Sequence, residues 1–291
     1  MTNTLCPQCG RPTPLFMRAK DYNRHITEEV FTYFRCVNCG LIFLSPIPEN
    51  LSDYYPPVYY QLPSTLEELQ PLIEFQKYKI DLVQKFVSRG RVLEMGPGQG
   101  DFAFWMKRAG FSLDVIEMDE ASSRFLRDVI QVNAIHSADT YGTLQLLGQY
   151  DVIALWQVIE HLPDPWALID ILAEHLTPGG LLVIATPNPE SLQFRLVKHL
   201  WGHLDAPRHL ELIPIDLLSK RLERTGLKRQ LLTTNDQGAL IHNRVGWEYI
   251  LGNLSGRRVS MRYPGAILNR LMRPLESIGR LGSIYTAYFQ K

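Results

Sequence analysis

Three glycines at alternate positions, Gly96, Gly98 and Gly100, stand in the run VLEMGPGQGDF (92–102), directly behind an acid, Glu94. Glycine at that density lets backbone approach a ligand with no Cβ atoms in the way. The spacing excludes two common phosphate loops. A nicotinamide-dinucleotide fingerprint places a glycine at 101, where Asp101 stands, and a Walker loop needs Gly-Lys-Ser/Thr. A phosphate gains nothing from a carboxylate at 94, whereas a cationic ligand does. Some twenty residues on, in DVIEMDE (114–120), an acid is placed to bind both hydroxyls of a ribose. Glu117 is the first choice and Asp119 the alternative, because a strand end read from sequence is uncertain by a few residues. Asp139 is placed to meet an adenine amino group, and Trp156 and Gln157 to reach the edge of the same ligand.

A second set of residues has metal chemistry. All four cysteines fall in the first 39 residues, as CPQCG (Cys6, Cys9) and CVNCG (Cys36, Cys39), two C-x-x-C pairs separated by 26 residues. Four thiolates can close a tetrahedral shell round Zn²⁺ with no open position, so the spacing predicts a structural ion that supplies folding energy and no catalysis. Disulfides fit less well, since no apolar export segment is expected at the start of the chain. Two histidines are candidates for proton transfer: His161 in IEHLPDP and His209 in APRHL, with His203 a weaker third. Each has a plain alternative as a loop anchor. Asp205 and Arg208 stand close enough to orient His209 or to contact a substrate.

These residues need a scaffold, and the pattern between them supplies one. Short apolar runs at 91–95, 113–117, 133–137, 150–156, 181–186 and 227–234 alternate with helical spacing at 102–109, 120–130, 140–148, 164–175 and 214–225. That alternation predicts βαβ units and a parallel sheet. Runs as apolar as DVIALW and LLVIAT are central strands covered on both faces. The glycine loop then lies at the carboxyl end of the first strand, where open α/β sheets bind ligands. Residues 1–45 read as a small zinc ribbon and 46–90 as a Pro/Tyr-rich linker followed by a helical stretch from Thr65 to Ser88. The main domain occupies 91–291.

The ordered set VLEMGPGQG, VIEMDEA, YDVIALWQVIEHLPDP and LTPGGLLVIATPN resembles the successive motifs of class I S-adenosylmethionine-dependent methyltransferases. The cysteine-rich leader, with LIFLSPIPENLSDYY, is similar to the zinc-binding leader of one branch of that superfamily, and LDAPRHLELIPIDLLSKRLERTGLK to the segment leading into its sixth strand. Pro97 departs from the Cys or other small residue often found there. The resemblance implies a seven-stranded Rossmann-like sheet with helices on both faces, whose last strand, within 283–291, is antiparallel. It implies S-adenosylmethionine as cofactor, bound through the residues named above, and an in-line displacement that needs a positioned nucleophile and, for a hydroxyl or carbon acceptor, a base.

The acceptor is less legible. The resemblance points to a small molecule, with a sugar or glycolipid precursor of a surface polysaccharide as the expected class. An RNA methyltransferase gripping its substrate with the ribbon is the alternative, and a cofactor-binding scaffold without activity a third. Against RNA, Lys+Arg and Asp+Glu are each 30, and residues 1–44 contain only five basic side chains. No apolar run reaches membrane-spanning length, so a cytoplasmic protein is the expectation. The segment 236–281 carries two amphipathic stretches with Arg270, Arg273 and Arg280, and Pro274 is expected to break or kink the second. It reads first as a cap over the substrate pocket or a dimer contact, and second as a peripheral membrane element.

Overall fold

The computed structural model describes residues 4–55, 62–256 and 261–291. The middle of the Pro/Tyr-rich linker and part of the 236–281 insertion therefore lie outside the described residues. The leader contains β1 (Thr4–Leu5), β2 (Pro12–Thr13), β3 (Leu15–Ala19), β4 (Phe31–Arg35) and β5 (Ile42–Leu44). β1–β2 and β4–β5 are antiparallel hairpins whose loops have one design. In each, the glycine after the second cysteine has a positive φ (Gly10 66°, Gly40 80°), and its N–H donates to the carbonyl of the first cysteine at 2.9 Å. The left-handed glycine turns the chain sharply enough to bring the two thiols of each C-x-x-C pair to one side.

The helical stretch after the linker is two helices, α1 (Leu66–Gln76) and α2 (Tyr78–Val83). The break is at Lys77, whose N–H bonds back three residues, to Glu74, and tightens the turn. The main sheet then follows: β6 (Arg91–Met95), α3 (Asp101–Arg108), β7 (Ser112–Glu117), α4 (Glu120–Phe125), β8 (Asn133–His136), α5 (Thr140–Gln145), β9 (Tyr150–Trp156), α6 (Pro165–Glu174) and β10 (Leu176–Pro187). After these come α7 (Leu192–Val197), β11 (Glu211–Leu212), α8 (Ile215–Arg224), β12 (Lys228–Thr233), α9 (Gln237–Leu254), α10 (Arg262–Glu276) and β13 (Ile284–Gln290). The helix starts are set locally: Asp119, Asp164 and Asp236 cap α4, α6 and α9 by accepting backbone N–H groups, and Pro165 follows its cap at the first helical position.

The large sheet has seven strands in the order β12-β13-β10-β9-β6-β7-β8, and β13 is antiparallel to both its neighbours. Strand order reverses direction between β6 and β9, which opens a crevice at their carboxyl ends. Helices cover both faces. One layer packs Leu69, Ile73, Ile80, Phe102 and Met106 against the sheet, and the other packs Leu168, Ile169, Leu172, Leu218 and Leu222.

The leader is knitted into this body. β11 pairs with β5, completing the sheet β11-β5-β4-β3. A third core joins Met17, Tyr33 and Ile42 of the leader to Phe194, Trp201, Trp247 and Ile250. The helix continues through Pro274 and does not break there. Pro274 lies in the last turn with its ring exposed, so its missing N–H leaves the helix one bond short near an end that frays in any case.

Candidate active site

The glycine loop links β6 to α3. Gly96, Gly98 and Gly100 have φ of 60°, 56° and 78°, left-handed at all three positions, so the alternate glycines are required by the backbone itself. A Cβ at Gly96 would stand 2.7 Å from Val158, and one at Gly100 2.6 Å from Leu126. The loop is thus pressed against the chain leaving β9 on one side and against the end of α4 on the other.

Four buried polar atoms near this loop have no partner among the described residues: Glu94 Oε2, Glu117 Oε2, Trp156 Nε1 and Gln157 Nε2. They belong to the carboxyl ends of β6, β7 and β9, three parallel neighbours. An unmet buried polar atom costs about 1–3 kcal/mol, and four along one sheet edge mark a place built to meet a ligand. Glu94 is sealed from solvent, and burial, reinforced by Asp101, pushes its carboxyl up to about 8. Glu117 Oε1 accepts the Asp119 N–H at 2.9 Å. Burial raises the Glu117 carboxyl, and the N–H groups of Asp119 and Gly98 pull it partly back. Gln157 holds φ of 58°, a conformation uncommon outside glycine, fixed by its N–H donating to Ala185.

Two of the acids predicted to touch the ligand are engaged locally. Asp119 Oδ1 accepts the Ser122 N–H at 2.7 Å, capping α4, and Asp139 Oδ1 accepts the Gly142 N–H at 2.9 Å, capping α5. A residue that sequence reasoning missed enters from α2. Lys79 is buried, pairs with Asp101 at 2.7 Å, and holds its ammonium 4.9 Å from the centre of the Trp156 ring. The available signal was a single lysine inside the apolar run YKIDLV, which gives a buried cation but no partner for it.

The histidines come together on the leader side of the same sheet edge. The rings of His161 and His209 are 4.5 Å apart, edge to face. His161 Nδ1 is 3.0 Å from the Arg208 carbonyl and His209 Nδ1 2.9 Å from the His203 carbonyl. A carbonyl only accepts, so His209 Nδ1 carries the proton and its Nε2 is left as the acceptor; His161 Nδ1 is shared between the Arg208 carbonyl at 3.0 Å, which favours a proton there, and the Tyr55 hydroxyl at 3.1 Å. His161 is half-buried and His209 nearly sealed; burial lowers both, His209 to about 3. Glu160, fully buried, accepts from Thr186 at 2.9 Å through Oε2, while Oε1 has no hydrogen-bond partner and lies 3.9 Å from His209 Nε2.

Arg208 is not available to a substrate. It is fully buried and donates five hydrogen bonds, two to Asp21, two to Asp205 and one to the Tyr54 carbonyl, at 2.6–3.1 Å. Burial works against ionised Asp205, and His209 and Arg208 outweigh it, holding the carboxyl well below the usual range. Asp21 and Tyr54 belong to the leader side of the chain, so this cluster ties the leader to the histidine loop.

Two groups of side chains have metal-ligand geometry. The thiols of Cys6, Cys9, Cys36 and Cys39 lie within 4.8 Å of one another, with Cys6–Cys39 at 3.6 Å and Cys9–Cys36 at 3.5 Å. Those separations are far outside a disulfide bond and close to the roughly 3.8 Å between sulfurs round a tetrahedral zinc. Glu160, His161 and His209 form the other group. A separate cavity of about 220 Å³ lies away from the glycine loop, between α1, α9 and α10.

The methyltransferase domain family matches residues 68–231, more than half of the chain. The protein belongs to that family. Its matched span runs from α1 to β12 and so contains the glycine loop, the orphaned carboxylates and His161. The methyltransferase is similar to the ubiquinone biosynthesis O-methyltransferase of Psychrobacter cryohalolentis, 26% identical over 58% of this chain and 79% of that one. It is also similar to the enzyme of the same description from Psychrobacter arcticus, 28% identical over 49% of this chain and 64% of that one, just under two thirds of its length. Among solved structures, a SAM-dependent methyltransferase from Archaeoglobus fulgidus shares the fold at TM-score 0.54 and 19% identity, covering 77% of this chain and 97% of that one. The methyltransferase is thus a class I enzyme whose cofactor is S-adenosylmethionine. No helix among the described residues is long and apolar enough to cross a membrane.

Proposed function

We propose that this methyltransferase moves a methyl group from S-adenosylmethionine to a hydroxyl of a small molecule, with His161 as the base. The observation that carries the cofactor reading is the row of four orphaned buried polar atoms beside three left-handed glycines. Glu94, Gly96, Gly98 and Gly100 hold the amino-acid end, where a carboxylate favours the ligand's positive charges. Glu117 takes the ribose hydroxyls through its free oxygen. Asp119 serves as a helix cap, and Asp139 has one oxygen left for the adenine side. Trp156 and Gln157 line the edge of the pocket, with Lys79 behind the Trp156 ring. The bound cofactor supplies an electrophilic methyl carbon on a sulfonium, which leaves as a neutral thioether.

The chain's own contribution is orientation and a proton acceptor. In the tautomer that the Arg208 carbonyl favours, with the Tyr55 hydroxyl accepting beside it, Nδ1 of His161 carries the proton and Nε2 can take the acceptor's proton as the new O–C bond forms. His209 stands behind it, too buried to meet a substrate, and is a positioning residue in this reading. The relatives are described as O-methyltransferases, which supports an oxygen acceptor. A sugar or a glycolipid precursor of a surface polysaccharide remains the substrate class we propose. The test is transfer of labelled methyl to a panel of hydroxylated acceptors. His161→Gln should lose about 10²-fold or more in kcat while binding S-adenosylhomocysteine normally. Unchanged turnover refutes His161 as the base.

A second reading rests on the closeness of Glu160, His161 and His209, a two-histidine, one-carboxylate set suited to a divalent cation. A cation there would acidify the acceptor hydroxyl in place of a base. Activity that disappears with a chelator and returns with one divalent metal, while the leader stays folded, favours this reading over the first. We also propose that the four cysteines hold a structural zinc ion.

A further inference from the structure

We propose that the outer face of α10 is a docking surface for an anionic lipid bilayer. The helix is fixed to the protein by one side only. Leu268 and Met272 pack against the core shared with the leader. Gly265 lies so close to α9 that a Cβ would stand 2.7 Å from Glu248 Cα. The buried Glu276 carboxylate accepts the side-chain N–H groups of Gln193 and Trp247, each at 2.9 Å. These contacts lock the rotation of the helix, so what points outward is settled.

What points outward is apolar. Tyr263, Ile267, Leu271 and Leu275 follow one another at four-residue steps, and Ile278 continues the row past the helix end. At 3.6 residues per turn they fill a sector of about 120°. Tyr263 is 88% exposed, Leu271 68%, and none of the five is below 48%. Pro264 and Pro274 are exposed in the same sector. A contiguous apolar row of this kind on a soluble surface marks an interaction site.

The neighbouring sector identifies the partner. It carries Arg262, Arg270 and Arg273, none of which is in an ion pair among the described residues. The one acid of the helix, Glu276, is buried. In a chain whose formal charge is zero, every exposed charge on α10 is thus positive. Two copies paired antiparallel through this stripe would bring their arginine rows together, with no exposed acid on the helix to meet them. A bilayer surface satisfies both sectors at once: the acyl boundary takes the apolar row and anionic headgroups meet the guanidinium groups. This inference does not depend on the assignment of the base or of the acceptor.

The test is co-sedimentation of the full chain with vesicles of phosphatidylcholine alone and of phosphatidylcholine with phosphatidylglycerol. Binding is expected to the anionic vesicles, weakened by salt, and much less to the neutral ones. Ile267→Ser/Leu271→Ser should lower it by about tenfold or more. Arg270→Gln/Arg273→Gln should lower it by about fivefold per charge removed. Both variants should bind S-adenosylhomocysteine like the parent, which shows that they are folded. Failure of the parent to bind, or equal binding by the serine variant, overturns the proposal. So does a parent dimer in sedimentation that the serine variant converts to monomer without any change in vesicle binding.

Discussion

Replacing Arg208 by Met tests whether this side chain is a clamp or a substrate contact. Its guanidinium is fully buried, and five hydrogen bonds use all five of its N–H donors. The two carboxylates it serves are buried as well, and they would keep only part of their partners. Asp21 would retain the N–H groups of Arg24 and Ile26, and Asp205 the Asn23 side-chain amide. Removing one member of a buried ion-pair cluster while leaving the others charged costs about 3–5 kcal/mol. Such clusters are often neutral when replaced entirely by apolar residues; Arg208→Met/Asp21→Asn/Asp205→Asn removes the unpaired charges but leaves buried amides, so it should recover part of the loss. In the parent, Asp205 lies below its ordinary range, so its contribution to stability is present near neutral pH and lost as pH falls through the folded value. In the variant an unpaired buried carboxylate shifts upward, and its penalty is relieved as pH falls. The stability gap should therefore narrow on acidification. Urea unfolding followed by the fluorescence of buried Trp201, in the core shared by leader and main domain, reads the loss. A loss under about 1 kcal/mol, the value of an exposed pair, would refute the clamp. So would a triple variant as unstable as the single one. If Arg208 touched substrate instead, the variant would raise KM and leave the unfolding midpoint unmoved.

Three further outcomes follow from the site. With Glu94 at about 8 in the free protein, its proton must leave when a cationic cofactor binds. S-adenosylmethionine affinity should rise with pH toward about 8, by up to tenfold per unit, then level off; Glu94→Gln should flatten that slope, and an unchanged slope would remove Glu94 from the pocket. The raised value also means that Glu94 stabilises the free fold below its ordinary pKa and that this contribution is lost as pH rises through about 8. Glu117→Ala removes the free carboxylate oxygen assigned to the ribose and should cost about 2 kcal/mol, roughly thirtyfold in Kd for S-adenosylhomocysteine by calorimetry; unaltered affinity would sink the assignment. Removing zinc with a chelator, or Cys9→Ser/Cys39→Ser, should release one metal ion per chain and expose β4, β5 and β11 to hydrogen exchange together, because β11 pairs only with β5. Unaltered protection of β11 would show that the ion does not support that sheet.

What the sequence carried, it carried through local pattern. The glycines at 96, 98 and 100 are legible because only glycine is at ease at the three positive φ values found there. The central strands β6, β9 and β10 are legible because burial on both faces leaves continuous apolar runs, and β13 was found through the ordered resemblance. What stayed hidden depends on pairs far apart in the chain. Asp21 and Arg208 are 187 positions apart, and nothing in either neighbourhood signals the other. Arg208 therefore read as a residue that orients His209 or contacts a substrate, when it is the buried member of a clamp. Glu160 was overlooked beside His161 because an acid before a histidine is ordinary until Thr186 and His209 are brought against it.

The second amphipathic stretch of 236–281 shows the same limit from the other side. Its periodicity is real, but a period fixes only which residues share a face, and α10 has two apolar sectors with different fates. Leu268 and Met272 face the core, whereas Tyr263, Ile267 and Leu271 face outward. Choosing between them takes the tertiary anchors at Gly265 and Glu276, which are set by α9 and Gln193. The anchors hold Leu268 and Met272 inward and leave the other row exposed, and that orientation, more than its hydrophobicity, makes the arginine-flanked row a surface for something outside the chain.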